Sequence, residues 1–128
     1  MKSHFLTFAF LLFIAAACAQ LVQPLYTFKK QWETGPGLKV PESVLYDTAS
    51  GVIFVSNVNG KPADKDSNGF IATVSTEGKI LNAGWVKGID APKGMGILNK
   101  HLFVTNIDEV VEIDIPTATI LRHRFSSN

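Results

Sequence analysis

An all-β fold is predicted for this chain, and three observations predict it. From Pro41 onward the segments are short, rich in β-branched and aromatic residues, and separated by Gly, Asn, Asp or Pro. Nothing between them has the apolar spacing of an amphipathic helix. A pair of apolar runs joined by a tight turn, PESVLYDTASGVIFVSN at 41–57, returns in altered form as PKGMGILNKHLFVTN at 92–106, so that Phe54-Val55-Ser56-Asn57 is matched by Phe103-Val104-Thr105-Asn106 49 residues later. Each copy reads as a hairpin.

The first element is a leader. Lys2, the apolar run Phe5–Ala17 and the small residues Ala15-Ala16-Ala17-Cys18-Ala19 supply the basic region, apolar region and cleavage pattern of a secretory signal peptide over residues 1–19. The run of 13 residues is too short to span a bilayer as a helix. The expected location is therefore secreted or periplasmic. The same residues also admit a lipoprotein signal with Cys18 as the lipidated first residue, although Ala15 stands where such signals favour Leu. Without Lys2 the remaining chain has eleven basic and eleven acidic side chains. Attraction to nucleic acid is not indicated, and membrane attachment would follow only from lipidation at Cys18. Cys18 is the single cysteine, so the domain must rely on its packed core rather than on disulfides. The whole chain, with 128 residues and 46% hydrophobic content, has the composition of one globular domain, expected over residues 20–128.

Tyr26, Phe28 and Trp32 share one parity, which predicts a strand over Tyr26–Glu33, stopped by Thr34-Gly35-Pro36-Gly37. Strands are then expected near 43–47, 52–57, 69–75 and 80–86 in a first unit covering about 41–88, and near 94–98, 101–106, 109–114 and 119–125 in a second covering about 92–125. The units differ mainly in one connection, which is Asn59–Asn68 in the first and Ile107-Asp108 in the second. The alternating and continuous apolar runs predict a core of Val44, Tyr46, Ile53, Val55, Ile71, Val74, Met95, Ile97, Phe103, Val111 and Ile113. Four consecutive antiparallel strands per unit describe the blades of a β-propeller, an architecture that closes with typically about 4 to 8 blades. The chain supplies two, so a partial propeller is expected, with an oligomer or further blades needed to cover the exposed sheet edges.

At PESVLYD followed by VIFVSN, and at APKGMGI followed by LFVTN, the sequence resembles the senescence-marker-protein/gluconolactonase family, also called regucalcin-like, in its secreted bacterial branch. The resemblance runs from about Trp32 to Leu121. It implies a six-bladed propeller holding a divalent cation, often calcium, in its central channel, and in some members the hydrolysis of sugar lactones. It also implies a metal-ligand role for Glu42, which stands where the family's first blade opens with Glu-Gly-Pro, with Ser43 in place of the Gly. The other family ligands, an Asn and an Asp from later blades, have no counterpart here. Lys93 stands where the second blade opens with Pro-Asn-Gly, and its charge would repel a cation. The expectation is a gluconolactonase-like fragment without catalytic activity as it stands. A metal-dependent sugar-lactone hydrolase when completed by later blades, or a module that binds a small molecule or protein, are the alternatives.

In propeller geometry the starts of the inner strands, Glu42 and Lys93, and the ends of the second strands, Asn57 and Asn106, should meet at one rim. Glu42 offers carboxylate oxygen and the asparagines carbonyl oxygen, both suited to a hard cation. The plainer alternative is a Glu42–Lys93 ion pair with two turn-capping asparagines. Asp64-Lys65-Asp66-Ser67-Asn68-Gly69 matches the opening of an EF-hand loop, with Asp64, Asp66 and Asn68 at the first, third and fifth ligand positions. Its twelfth position is Ser75 rather than Glu, and predicted strands flank it where helices are required. No G-x-S-x-G, H-E-x-x-H or paired cysteines support a serine hydrolase, a zincin or a structural zinc.

Overall fold

Eight strands and no helix make up residues 26–125, the part of the chain that the computed structural model describes. The signal peptide expected at 1–19 and the lipidation considered at Cys18 lie outside the described residues. The strands are β1 (Pro41–Asp47), β2 (Val52–Asn57), β3 (Gly69–Val74), β4 (Ile80–Ile89), β5 (Pro92–Leu98), β6 (His101–Asn106), β7 (Glu109–Asp114) and β8 (Thr119–Phe125). They form two four-stranded antiparallel sheets in sequence order, β1-β2-β3-β4 and β5-β6-β7-β8. Among the described residues no helix is long and apolar enough to cross a membrane.

Turn chemistry sets the register of each hairpin. Asp47 accepts hydrogen bonds from Ala49 N (3.0 Å), Ser50 N (3.3 Å) and Ser50 Oγ (2.6 Å), folding the chain back into β2 through Gly51 at φ 69°. The Ser50 hydroxyl, ahead of burial acting the other way, keeps the Asp47 carboxyl below its ordinary range. Between β5 and β6 only Asn99 and Lys100 intervene, both at positive φ, which is the two-residue turn whose twist matches antiparallel strands.

Strand parity then assigns the faces. One face of the first sheet presents Phe54, Ile71 and Val86, and it packs against Leu102, Val104, Val111 and Ile113 of the second sheet in a continuous core. Leu45, Met95 and Ile97 close this core from the side of the inner strands. The opposite face of the first sheet carries a smaller cluster, Val55, Ala72 and Val74, covered by Leu38 and Ile80. Leu38 belongs to the segment Trp32–Val40, which is fastened to the sheet at both ends. Asn59 N and Val58 N donate to Lys39 O and Val40 O, each at 3.1 Å. The Trp32 ring lies so close to Gly78 that a Cβ there would approach Trp32 Cε3 to 2.5 Å.

Three expectations are corrected. Tyr26–Glu33 is not a strand: the first strand begins at Pro41, and Tyr26 and Phe28 are exposed. Alternation alone does not make a strand, and Trp32 lays its ring against Gly78 instead. Val44 and Tyr46 are not core but 69% and 51% exposed, because β1 turns Leu45 toward the second sheet. In β6 it is Leu102 and Val104 that are fully buried, while Phe103 is half-buried on the outer face. The remaining predicted core positions lie in or against the two clusters.

Candidate functional site

The ends of the hairpins place the candidate residues. In each sheet the first strand begins, the second ends and the third begins at one and the same edge, because consecutive antiparallel strands alternate direction. Glu42, Asn57, Lys93 and Asn106 therefore share one end of the two sheets, together with the β2–β3 loop and the β6–β7 turn. Pro41 pairs with Asn57 and Pro92 with Asn106, so the two units are built alike at this end.

The two asparagines do the same job in both units. Asn57 is fully buried; its Oδ1 accepts from Lys39 N at 2.8 Å and its Nδ2 donates to Val55 O at 2.9 Å. Asn106, 2% exposed, accepts from Ala91 N at 2.8 Å and donates to Glu109 Oε1 at 2.7 Å. Each side chain ties the backbone leading into an inner strand to the strand that returns beside it. A buried amide with both ends satisfied is a low-energy way to close such a corner, since either group left unbonded would cost desolvation without return.

Lys93 bends toward the first sheet, its Nζ donating to Pro62 O at 2.8 Å and to Ala91 O at 3.3 Å, and not to Glu42. Lys65 of the same loop reaches Asp108 of the β6–β7 turn at 2.7 Å. That bond lowers the Asp108 carboxyl and raises the Lys65 amine from their ordinary values. The pair is exposed and adds little stability, but with Lys93 it fixes the long loop over the second sheet. Glu42 is exposed at the start of β1.

The Asp64–Gly69 stretch is flanked by β2 and β3 rather than by helices. Asp66 receives Asn68 N (3.3 Å) and Asn68 Nδ2 (2.6 Å), and Asn68 O receives Asn59 Nδ2 at 2.9 Å. Ser67 turns away to Asp90 Oδ1, which accepts from its N (2.9 Å) and Oγ (3.2 Å). Gly69 is glycine for a packing reason: a Cβ would stand 2.5 Å from Pro92 Cδ and 2.6 Å from Asp90 O. Sequence spacing could not tell this glycine from the turn glycine of a calcium loop. Among the described residues no cluster of three or more His, Cys, Asp or Glu side chains is arranged to hold a metal ion.

An ionic cluster that residue spacing does not announce lies on the outer face of the second sheet. Glu112, 3% exposed, is hydrogen-bonded to His101 Nδ1 at 2.7 Å and to Arg124 Nη2 at 3.3 Å, and forms an ion pair with Arg122 Nε at 2.7 Å. The His101 hydrogen bond first, then the two arginines, hold its carboxyl below the usual range against the opposing effect of burial. His101 Nε2 lies 3.9 Å from Asp114 Oδ1. Residues 101, 112 and the pair 122 and 124 come from three different strands and meet through the β6-β7-β8 register. With this geometry in hand, comparison with protein families, with curated proteins and with solved structures finds no match to the chain.

Proposed function

We propose that this chain is a propeller-type β module that binds rather than catalyses, built of two blade-like sheets and secreted. One observation carries the reading. At the end of the sheets where Glu42, Asn57, Lys93 and Asn106 gather, the oxygens needed for a hard cation are spent on the chain itself. Asn57 and Asn106 give theirs to Lys39 N and Ala91 N, Asp66 to Asn68, and Asp90 to Ser67. Glu42 and Asp64 keep carboxylates that no neighbour engages among the described residues, yet calcium takes six to eight oxygens. Lys93 adds a positive charge at the same end of the sheets.

The gluconolactonase-like resemblance suggests the blade architecture and a ligand at the strand-start face. A lactone hydrolase needs a cation there to polarise the ester carbonyl and a second carboxylate to activate water. The Glu42 carboxylate supplies one of these parts. The test is hydrolysis of a sugar lactone by the purified chain with calcium, manganese or zinc added. The proposal expects the uncatalysed rate with each metal. Saturable turnover that Glu42→Gln abolishes would overturn it in favour of a hydrolase.

A further inference from the structure

We propose that the crevice between the two sheets at their turn end binds a small apolar carboxylate, its tail laid on the open end of the core and its head on the Lys100 amine. Strand direction places the crevice. At the edge opposite Glu42, β1, β5 and β7 end while β2, β6 and β8 begin, so the β1–β2, β5–β6 and β7–β8 turns gather there. Residues of all three turns wall a space of about 270 Å³. The two ends of the core are finished differently. At the Glu42 end the Asn57 and Asn106 amides close the corners, and the β2–β3 loop reaches the second sheet through the Lys93–Pro62 and Lys65–Asp108 contacts. At the turn end the connections are the short stretches 48–51, 99–100 and 115–118. There Val52, Ile97, Ile115 and Ala118 pack against the core while staying only half-buried.

Ile97 and Ile115, with Ala49 and Pro116, give the crevice an apolar lining. Half-buried apolar surface in a concave site is where a ligand gains most by leaving water. The walls are set before any ligand arrives. Asp47 accepts its three hydrogen bonds from Ala49 and Ser50, which fixes the first turn. Ile115 N donates to Lys100 O at 3.0 Å, which ties the β7–β8 turn to the β5–β6 turn. A site held this way avoids part of the ordering cost that binding otherwise carries.

Charge selects the ligand. Of the lining side chains Asp47 and Lys100 are ionised, and they differ in what they have left to give. Asp47, 8% exposed, spends both carboxylate oxygens on Ala49 and Ser50. Lys100 is exposed, and no neighbour among the described residues engages its amine. An ammonium at the rim of an apolar floor suits an amphiphile with a negative head. An alkylammonium would meet repulsion from Lys100 and find the Asp47 oxygens already taken. The volume falls just below the range of about 300–1,000 Å³ typical of ligand pockets, so the tail that fits is short.

This site lies at the opposite end of the strands from Glu42, and its test is independent of the function proposed above. Two-dimensional NMR titration of the purified chain with hexanoate, hexanol and hexylammonium reads both the affinity and the place of binding. The expected result is saturable shifts confined to the amides of the three turns. Hexanoate should bind about fivefold more tightly than hexanol, the upper end for an exposed ion pair, with hexylammonium weakest. Lys100→Gln should bring hexanoate to the level of hexanol, and Lys100→Arg should keep the preference. Ala49→Trp, at an exposed wall position, should fill the crevice and block all three probes. The dispersion of each variant's own spectrum shows that it folds. No saturation by hexanoate, equal binding of hexanoate and hexanol, shifts scattered over other surfaces, or a preference that survives Lys100→Gln would overturn the inference.

Discussion

Replacing Asn106 with Ala should destabilise the fold by roughly 2–4 kcal/mol, and the size follows from which groups lose their partners. Ala91 N is fully buried and donates to Asn106 Oδ1 at 2.8 Å. With the acceptor removed, that N–H has no water to turn to, a penalty of about 1–3 kcal/mol. Glu109 Oε1 also loses a donor at 2.7 Å but retains His123 Nδ1 at 3.0 Å, which limits that loss to about 1 kcal/mol. The control is the equivalent change in the first unit. Asn57 accepts from Lys39 N, and Lys39 is exposed, so water can replace the amide and Asn57→Ala should cost only about 1–2 kcal/mol. Urea unfolding followed by circular dichroism reads both values, with an unchanged slope showing that the same surface is exposed on unfolding. A third variant, Asn106→Asp, keeps an acceptor for Ala91 but sets a second carboxylate against Glu109, so its deficit should grow between pH 4 and 7. If Asn57→Ala proves as costly as Asn106→Ala, or if both fall within about 0.5 kcal/mol of the parent, the claim that buried amides staple the two units is wrong.

Gly69→Ala should cost about 1–3 kcal/mol or more, since its Cβ would overlap Pro92 Cδ and two backbone oxygens with no flexible side chain to yield; thermal unfolding measures it. Asp47→Ala, which strips three hydrogen bonds from the β1–β2 turn, should cost about 1–2 kcal/mol in the same assay, with Asp47→Asn recovering part of the loss. For Glu112 the folded-state carboxyl sits below its ordinary 4.5. Its contribution is therefore present in full above that pH and is lost as pH falls through the folded value. Glu112→Gln should lower stability at pH 7 and flatten the acid side of the stability profile below about pH 4.5, whereas a parallel profile at all pH values would refute the pairing with His101 and the arginines.

The strand plan was open to reading because each unit punctuates itself: β2, β6, β7 and β8 occupy the residues their apolar runs and turn residues predict, and the others differ at their ends by one to three residues. Which face a strand buries was harder to read. Val44-Leu45-Tyr46 and Leu102-Phe103-Val104 are apolar at every position, so alternation is silent, and the choice falls to the irregular pairing near Pro41 and Ser43 and to what covers each face. Tyr26–Glu33 failed for the opposite reason, since its alternation was clear and yet no strand forms there. At the strand-start end, the residues were brought together as their positions in the hairpins require. Their bonding was not legible, because the Asn57 and Asn106 oxygens accept from the backbone N–H groups of Lys39 and Ala91, which side-chain spacing does not mark. The cluster around Glu112 was hidden for the same reason: it exists only through cross-strand register.

Calorimetric titration of the purified chain with calcium tests the central claim most directly, because the account holds that the oxygens at the strand-start end are committed to the fold. It predicts no saturable binding tighter than about 1 mM, the weak end of natural calcium sites. A dissociation constant in the micromolar range that Glu42→Gln abolishes, while Asp66→Asn leaves it unchanged, would contradict it.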